Sequence, residues 1–404
     1  MMSADAPAVS SVDRSVVVAW RNAVFAVFAL NGFALATWMS RVPAVRDSLG
    51  ATTAEMGWVV FSLAVGSIIG LSSASHVLAW VGSRRAIAGA VIVGSLGLAV
   101  VGLGAATAGH PVLVVLGLAL LGGGMGCCDV AMNVEGAAAE RELGRTVMPL
   151  FHAAFSGGTI AGAAVGALAE WAGASTALHF SAVGAAVVAG VVVSVRFLHL
   201  DALGAGTSSS EEAHPGWRER LGMWADRGTL LIGLIVLGFA FAEGSANDWL
   251  ALAMVDGHSV TNSTGAVIYG VFVTAMTVGR IAGVWFLDRY GRVPVLRATT
   301  LLAVVGLLTV IFVPNAAVAT VGVVLWGLGA SLGFPVGMSA AADDRRTATA
   351  RVSVVATVGY FAFLVGPPSI GFIGDAAGLL RALLLVLVLV ALAGLAAPAA
   401  RERT

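Results

Sequence analysis

The chain contains no lysine, and charged residues of every kind fill only 11% of its 404 positions. A soluble domain carries about 25%. The 22 arginines balance 22 acidic residues, so the formal net charge is zero and there is no bulk attraction to nucleic acid. Relying on arginine alone reads as coding bias and says little about mechanism. Cysteine is nearly absent too. Cys127 and Cys128 are adjacent within an apolar run and poorly placed to bridge each other, so no disulfide framework is expected. No His/Cys cluster has metal-ligand spacing, and no phosphate-binding Walker motif is present. No nucleophile, base and orienting group can be assembled on one side of the chain. "GLGASLG" (327–333) looks like a phosphate-cradling loop but follows no strand and lies inside an apolar run. These absences argue against an enzyme, an ATP-driven pump or a bound cofactor. The polar start, "MMSADAPAVSSVDRS", lacks a small-residue cleavage site after a short apolar core and reads as a cytoplasmic tail.

What the chain has in abundance is hydrocarbon: 58% hydrophobic residues and a mean hydropathy of +0.95. A spanning helix needs about 20 mostly apolar residues. That ruler finds twelve segments: 17–39, 54–79, 86–105, 111–138, 147–170, 173–197, 228–251, 264–287, 294–313, 316–341, 350–374 and 376–397. They lack the alternation of barrel strands, and lipid admits only helices or closed barrels, so the fold class is an all-α membrane protein. Arginines concentrate in one set of loops: Arg84, Arg85, Arg141, Arg145, the 196–227 segment, Arg289, Arg292, Arg297, Arg345, Arg346 and Arg351. The opposite loops hold Arg41, Arg46 and Arg381. The positive-inside rule then puts both termini in the cytoplasm.

The longest polar stretch starts at Asp201 and divides the chain into 1–200, a linker at 201–227, and 228–404. The linker reads as a flexible tether followed by a short amphipathic helix. The halves resemble each other. "LNGFALAT" (30–37) lies against "VLGFAFAE" (236–243), "LLGGGMGCCDVAMNVEGAA" (120–138) against "LWGLGASLGFPVGMSAAAD" (325–343), and "GALAEWAG" (166–173) against "GFIGDAAG" (371–378). An almost constant offset across three helices argues for duplication. An even number of spans per half gives both copies the same orientation, with a site between them near the midplane.

Two parallel six-span halves, each with a basic turn after its second span, resemble the major facilitator superfamily. "GVWFLDRYGRVPVLR" (283–297) is similar to that superfamily's signature loop, matching at Asp288, Arg289, Gly291 and Arg292. Gly283 lies one residue early. "SHVLAWVGSRRA" (75–86) keeps Gly82, Arg84 and Arg85, with Ala79 and Trp80 where the signature has Asp-Arg. "WMSRVPAVRDSLG", "MNVEGAAAERELGRTVMPLFHAAFSGGT" and "GPPSIGFIGDAAG" look like the bacterial fucose-permease-like sugar transporters. The resemblance implies a transporter with two pseudo-symmetric six-helix bundles and a cytoplasmic gate at Asp288, Arg289, Arg292, Arg84 and Arg85.

A charge at mid-bilayer costs about 2.5–3.5 kcal/mol on insertion scales, so a polar residue there needs water or a partner. Asp129 lies near the middle of the fourth span; it reads as substrate-binding or proton-coupling, or else as a carboxylate hydrogen-bonded between helices. Asn133, four residues on, shares its face. Glu135 reads as a relay or a cytoplasmic gate. His152 sits at a similar depth on the fifth span, where a histidine near a carboxylate serves as a proton relay or an interhelical hydrogen-bonder. Asn31 is a candidate cavity hydrogen-bonder. Trp38 is a sugar-stacking candidate or an interfacial anchor, and Arg41 a snorkelling side chain. The resemblance implies a broken seventh span that lines the cavity, which offers Glu243 and Asn247 as site residues and leaves Asp248 and Trp249 at the outer rim. Tyr269 and Tyr360 are two of only three tyrosines and candidate cavity donors. Gly158, Gly162 and Gly166 are spaced for close helix contact. Pro335 and Pro367-Pro368 read as kinks.

The leading expectation is a secondary active transporter, a monomer in the lipid bilayer, moving a small polar, sugar-like solute with protons or sodium as the coupling ion. The alternative is proton-driven efflux of an amphiphilic compound, although the fifth span lacks the Gly-Pro pattern of many drug antiporters. Ser209→Cys and His258→Cys are expected to label with an impermeant thiol reagent from opposite faces of the membrane. Labelling of both from one face would overturn the twelve-span topology.

Overall fold

The computed structural model describes residues 14–107, 109–144, 147–199, 223–343 and 347–402, except for the side chains of 348 and 349. Among the described residues there is no strand, and twelve helices are long and apolar enough to span a bilayer. The first bundle holds α1 (Arg14–Met39), α3 (Thr53–Val81), α4 (Ser83–Ala106), α5 (Pro111–Leu143), α6 (Met148–Trp171) and α7 (Thr176–Ser194). The second holds α8 (Arg227–His258), α9 (Asn262–Tyr290), α10 (Arg292–Phe312), α11 (Ala316–Ala330) continued by α12 (Gly333–Ala341), α13 (Ala348–Ala377) and α14 (Leu379–Ala396). The expected linker helix lies outside the described residues; Asp226 enters the description as the N-cap of α8, accepting from Thr229 N at 2.7 Å. With six spans per bundle, the chain enters α1 and leaves α14 at one end, called here the terminal end.

Local chemistry sets where helices turn. At the terminal end α3 meets α4, and α9 meets α10, across one residue each: Gly82 with φ 80° and Gly291 with φ 75°. A side chain at positive φ is strained, so glycine is the residue that makes these two repeat-related corners. At the far end Thr52 opens α3 with a capping box: its hydroxyl accepts from Glu55 N at 3.2 Å, and Glu55 Oε2 accepts from Thr52 N at 2.8 Å.

Two elements depart from the sequence expectation, while the kink expected at Pro335 takes the form of a full break. A short amphipathic helix, α2 (Val42–Leu49), lies across the far end between α1 and α3. α8 is unbroken over its whole length, because no proline interrupts it. The tenth span breaks at Ser331–Leu332 instead. Pro335 explains that break: it has no N–H to return to the Ser331 carbonyl one turn back. Its counterpart in the first half is Val130, and there α5 runs straight through.

Inside each bundle, small residues bring backbones together. A Cβ on Gly158 would collide with the Ala29 carbonyl, and one on Gly162 would stand 2.5 Å from the Phe33 carbonyl, so α6 lies directly on α1. Between bundles the contacts gather at the far end. Arg46 on α2 donates to Asp256 at 2.5 Å, Asn262 donates to Asp47 at 3.0 Å, and the Tyr269 hydroxyl meets the Met39 sulfur at 3.0 Å. α3 also lies on α13 there, with a Cβ on Gly371 only 2.9 Å from Gly57 Cα and from the Thr53 carbonyl. The bundles are therefore sealed at the far end. Gly371→Val is expected to hold this seal apart. A single cysteine beside it, at Thr53, should then become reactive to an impermeant reagent added from the far side; unchanged protection would show that the glycine contact is not what closes this end.

Candidate substrate cavity

Below the seal, at mid-depth between the bundles, lies a cavity of about 330 Å³. That falls at the lower end of the range of about 300–1,000 Å³ typical of small-molecule sites. Residues from α1, α3, α5 and α6 form one wall and residues from α8 and α13 the other, so neither bundle encloses it alone. Most of the lining is apolar: Leu35, Met39, Leu63, Ile68, Met125, Phe155 and Phe363 among others. The polar lining is Asn31, Ser67, Asp129, Asn247, Asp248 and Tyr360.

Each polar residue has a distinct setting. Asn31 is 5% exposed, and the partner its amide finds is the Met132 sulfur at 3.9 Å. Asp129 projects from the middle of α5. Asn133, one turn on, donates to the Asp129 backbone carbonyl at 2.8 Å and reaches its carboxylate only at 3.4 Å. Asn133 thus braces the helix turn beneath Asp129 and is not part of the lining. On α8, Asn247 Oδ1 accepts from the Tyr269 hydroxyl at 3.4 Å. Tyr269 itself is fully buried and stands behind the wall, tying Asn247 to Met39 of the opposite bundle. Tyr360 is 46% exposed and faces the open space.

Several other residues singled out from the sequence lie elsewhere. Glu135 is completely buried at the terminal end of the first bundle. Its carboxylate accepts from Trp20 Nε1 at 2.6 Å and from the Ser83 hydroxyl, at the N-terminal end of α4. A carboxylate suits a helix N-terminus, where unpaired N–H groups carry partial positive charge. His152 is exposed, edge-on to Phe28 at 5.2 Å, and the described contacts do not join it to Glu135. Trp38 and Trp249 are both fully buried in the core, neither at a membrane rim nor in the cavity wall. Arg41 does not snorkel. It is 4% exposed, pairs with Glu170 at 2.7 Å and donates to the Ala174 carbonyl at 2.9 Å. Burial pulls its pKa below the ordinary arginine value, against the opposing pull of Glu170. At the signature loop, Asp288 and Arg289 are exposed, while Arg292 pairs with Asp343 at 2.6 Å and reaches Ser339. Arg84 donates to the Leu198 carbonyl, and Arg85 is exposed.

Two functional residues were not apparent from the sequence. Nη2 of Arg280 on α9 donates to both oxygens of Glu243, at 2.9 and 3.0 Å, so Glu243 serves an ion pair and does not line the cavity. The Nε of Arg280 reaches the Ser331 carbonyl at 3.4 Å, the group that Pro335 left without its helical partner. The signal was present, since Arg280 is the one charged residue in 264–286. Asp248 is expected at the rim if its span ends at 251. The helix continues to His258, about 10 Å further at 1.5 Å per residue, and this carries Asp248 inward to the cavity.

A gated cavity shared by two six-helix bundles is a transporter's geometry, and comparison with known proteins agrees. The Major Facilitator Superfamily profile matches residues 24–367. The chain belongs to that superfamily. It is 31% identical over 395 residues to an uncharacterised transporter, y4wD, of Sinorhizobium fredii, covering 96% of this chain and 100% of that one. Among solved structures it is similar to the nucleoside transporter NupG, with a TM-score of 0.71 and 15% identity over 95% of this chain and 98% of that one. It is also similar to the transporter FucP in its outward conformation, with a TM-score of 0.63 and 19% identity over 96% and 100%. At such identities the likeness is one of fold. This superfamily member is a multi-pass membrane transporter and not an enzyme.

Removing one partner of the Arg280–Glu243 pair leaves the other charge in the membrane. Glu243→Gln is expected to cost about 2 kcal/mol of stability, less than the roughly 3–5 of a fully buried pair because Arg280 is partly exposed. Thermal unfolding in detergent checks this; the double variant Glu243→Leu with Arg280→Met should recover part of the loss.

Proposed function

We propose that this transporter moves a small polar, sugar-like solute across the bacterial inner membrane by alternating access, driven by protons. The observation that carries the reading is Asp129, a carboxylate without an ion-pair partner among the described residues, facing a mid-depth cavity that both bundles line. Burial disfavours the charged form of a carboxylate, so closing the cavity around Asp129 promotes protonation and opening it promotes release. Asn31, Ser67, Asn247 and Tyr360 supply donors and acceptors for solute hydroxyls. The arginine distribution makes the terminal end cytoplasmic. On that reading the sealed far end is periplasmic, and the conformation is inward-facing. Asp288, exposed here, is then free to pair with neighbouring helix ends when the bundles rock shut at the cytoplasmic side. Proton-driven efflux of an amphiphile is the second reading, favoured by the Phe155, Phe363, Met39 and Met125 surfaces of the wall.

Proteoliposomes screened with candidate solutes, with and without an imposed pH gradient, test the proposal. Asp129→Asn, which mimics the protonated acid, is expected to abolish gradient-driven accumulation while leaving counterflow exchange measurable. Uphill transport at the wild-type rate by this variant would reduce Asp129 to a structural role and count against proton coupling there.

A further inference from the structure

Acidic side chains within the spanning helices sort into two groups. Glu135 accepts hydrogen bonds from Trp20 and Ser83, and both oxygens of Glu243 accept from Nη2 of Arg280. Asp129 and Asp248 have no such neutralisation: among the described residues neither has an ion-pair partner, and the cavity lining contains no arginine or histidine. Both face the same space, one from each bundle.

We infer that the transported solute is an organic cation, an amine whose ammonium group is held by Asp248 in the cavity that Asp129 also faces. This rests on the proposed reading of the cavity as the transport site and replaces its sugar-like solute with an aminated one. A neutral polyol would leave protons alone to balance two carboxylates in a largely apolar chamber. An anion would add to the uncompensated negative charge. A bare metal cation fits poorly, because among the described residues no group of three or more His, Cys, Asp or Glu could hold a metal, and hard cations need about six or more close oxygens. An ammonium on an organic body meets each feature. Its charge balances the carboxylates, and its body fills the space beside Phe155, Phe363 and Tyr360, whose ring faces attract cations. The buried Asn31 amide adds a polar contact on the first bundle.

The test reads the charge preference of the cavity directly and does not require transport. In a Cys127→Ala, Cys128→Ala background, Ser67→Cys places a thiol in the lining. Its reaction rates with cationic trimethylammonium-ethyl and anionic sulfonatoethyl methanethiosulfonate are compared, each relative to a free thiol. The cationic reagent is expected to be favoured at least about tenfold, the lower end for a charged cleft. Asp248→Asn should reduce the preference several-fold, and Asp248→Glu should retain it, which separates lost charge from lost structure. Tyramine should protect the thiol more strongly than its neutral analogue tyrosol. A cavity indifferent to reagent charge overturns the inference, as does a preference untouched by Asp248→Asn. Equal protection by tyramine and tyrosol, or protection by neither, overturns it too. No reaction of either reagent at Ser67→Cys or Leu71→Cys would show a space closed to solutes, and the inference would fall with it. If the cavity prefers cations but proteoliposomes move no solute, the cation selectivity of the cavity stands and the transport reading falls. Transport through a charge-blind cavity gives the reverse.

Discussion

Hydrocarbon cannot solvate charge, and the disposition of this protein's polar groups follows from that constraint. A carboxylate in a spanning helix must find donors, find a counter-charge, or face a water-filled space. Glu135 takes the first route, through Trp20 and Ser83, and so joins α1, α4 and α5 at the terminal end. Glu243 takes the second, through Arg280. Asp129 and Asp248 take the third, and the cavity is where they can do so. The acids that hold the fold are thereby separated from those available to a solute.

The same constraint explains the asymmetry between halves that are otherwise copies. In the first half, α5 passes its full length without interruption. In the second, Pro335 breaks the corresponding span and frees the Ser331 carbonyl. Arg280 reaches that carbonyl with its Nε while binding Glu243 with Nη2, so one guanidinium ties α8 and α9 to the break. The break therefore sits on a polar anchor in place of a regular backbone bond. A bend of that kind changes angle more easily than an unbroken helix.

The bundles touch through unlike materials at the far end. Glycine contacts at Gly57 and Gly371 allow backbone to lie on backbone, while Arg46–Asp256 and Asp47–Asn262 add charge and hydrogen bonding at the exposed margin. Exposed pairs of this kind each contribute about 1 kcal/mol or less, so they can be made and broken in a transport cycle. The Tyr269 contacts with Met39 and Asn247 connect this seal to the cavity wall, placing one side chain between gate and site.

The twelve spans, the division into two halves and the superfamily were legible in the sequence, because each depends on local properties: the length of an apolar run, the sign of its flanks, and a glycine at the one-residue corners Gly82 and Gly291. Asn31, Asp129, Asn247 and Tyr360 could be picked out as polar residues in apolar surroundings, and these line the cavity. Which of the remaining polar residues face the cavity could not be read that way. Glu243 and Asp248 are five positions apart on one helix and equally polar, yet one is neutralised by Arg280 and the other is open to the cavity. That choice depends on the neighbour presented by α9, and on α8 continuing to His258. Trp38 and Trp249 have the composition of interfacial anchors but are buried, because the surrounding helices close over them. A sequence records that a charge or an indole lies in a spanning helix; only the packing of the other helices determines whether it meets a partner, a cavity or a core.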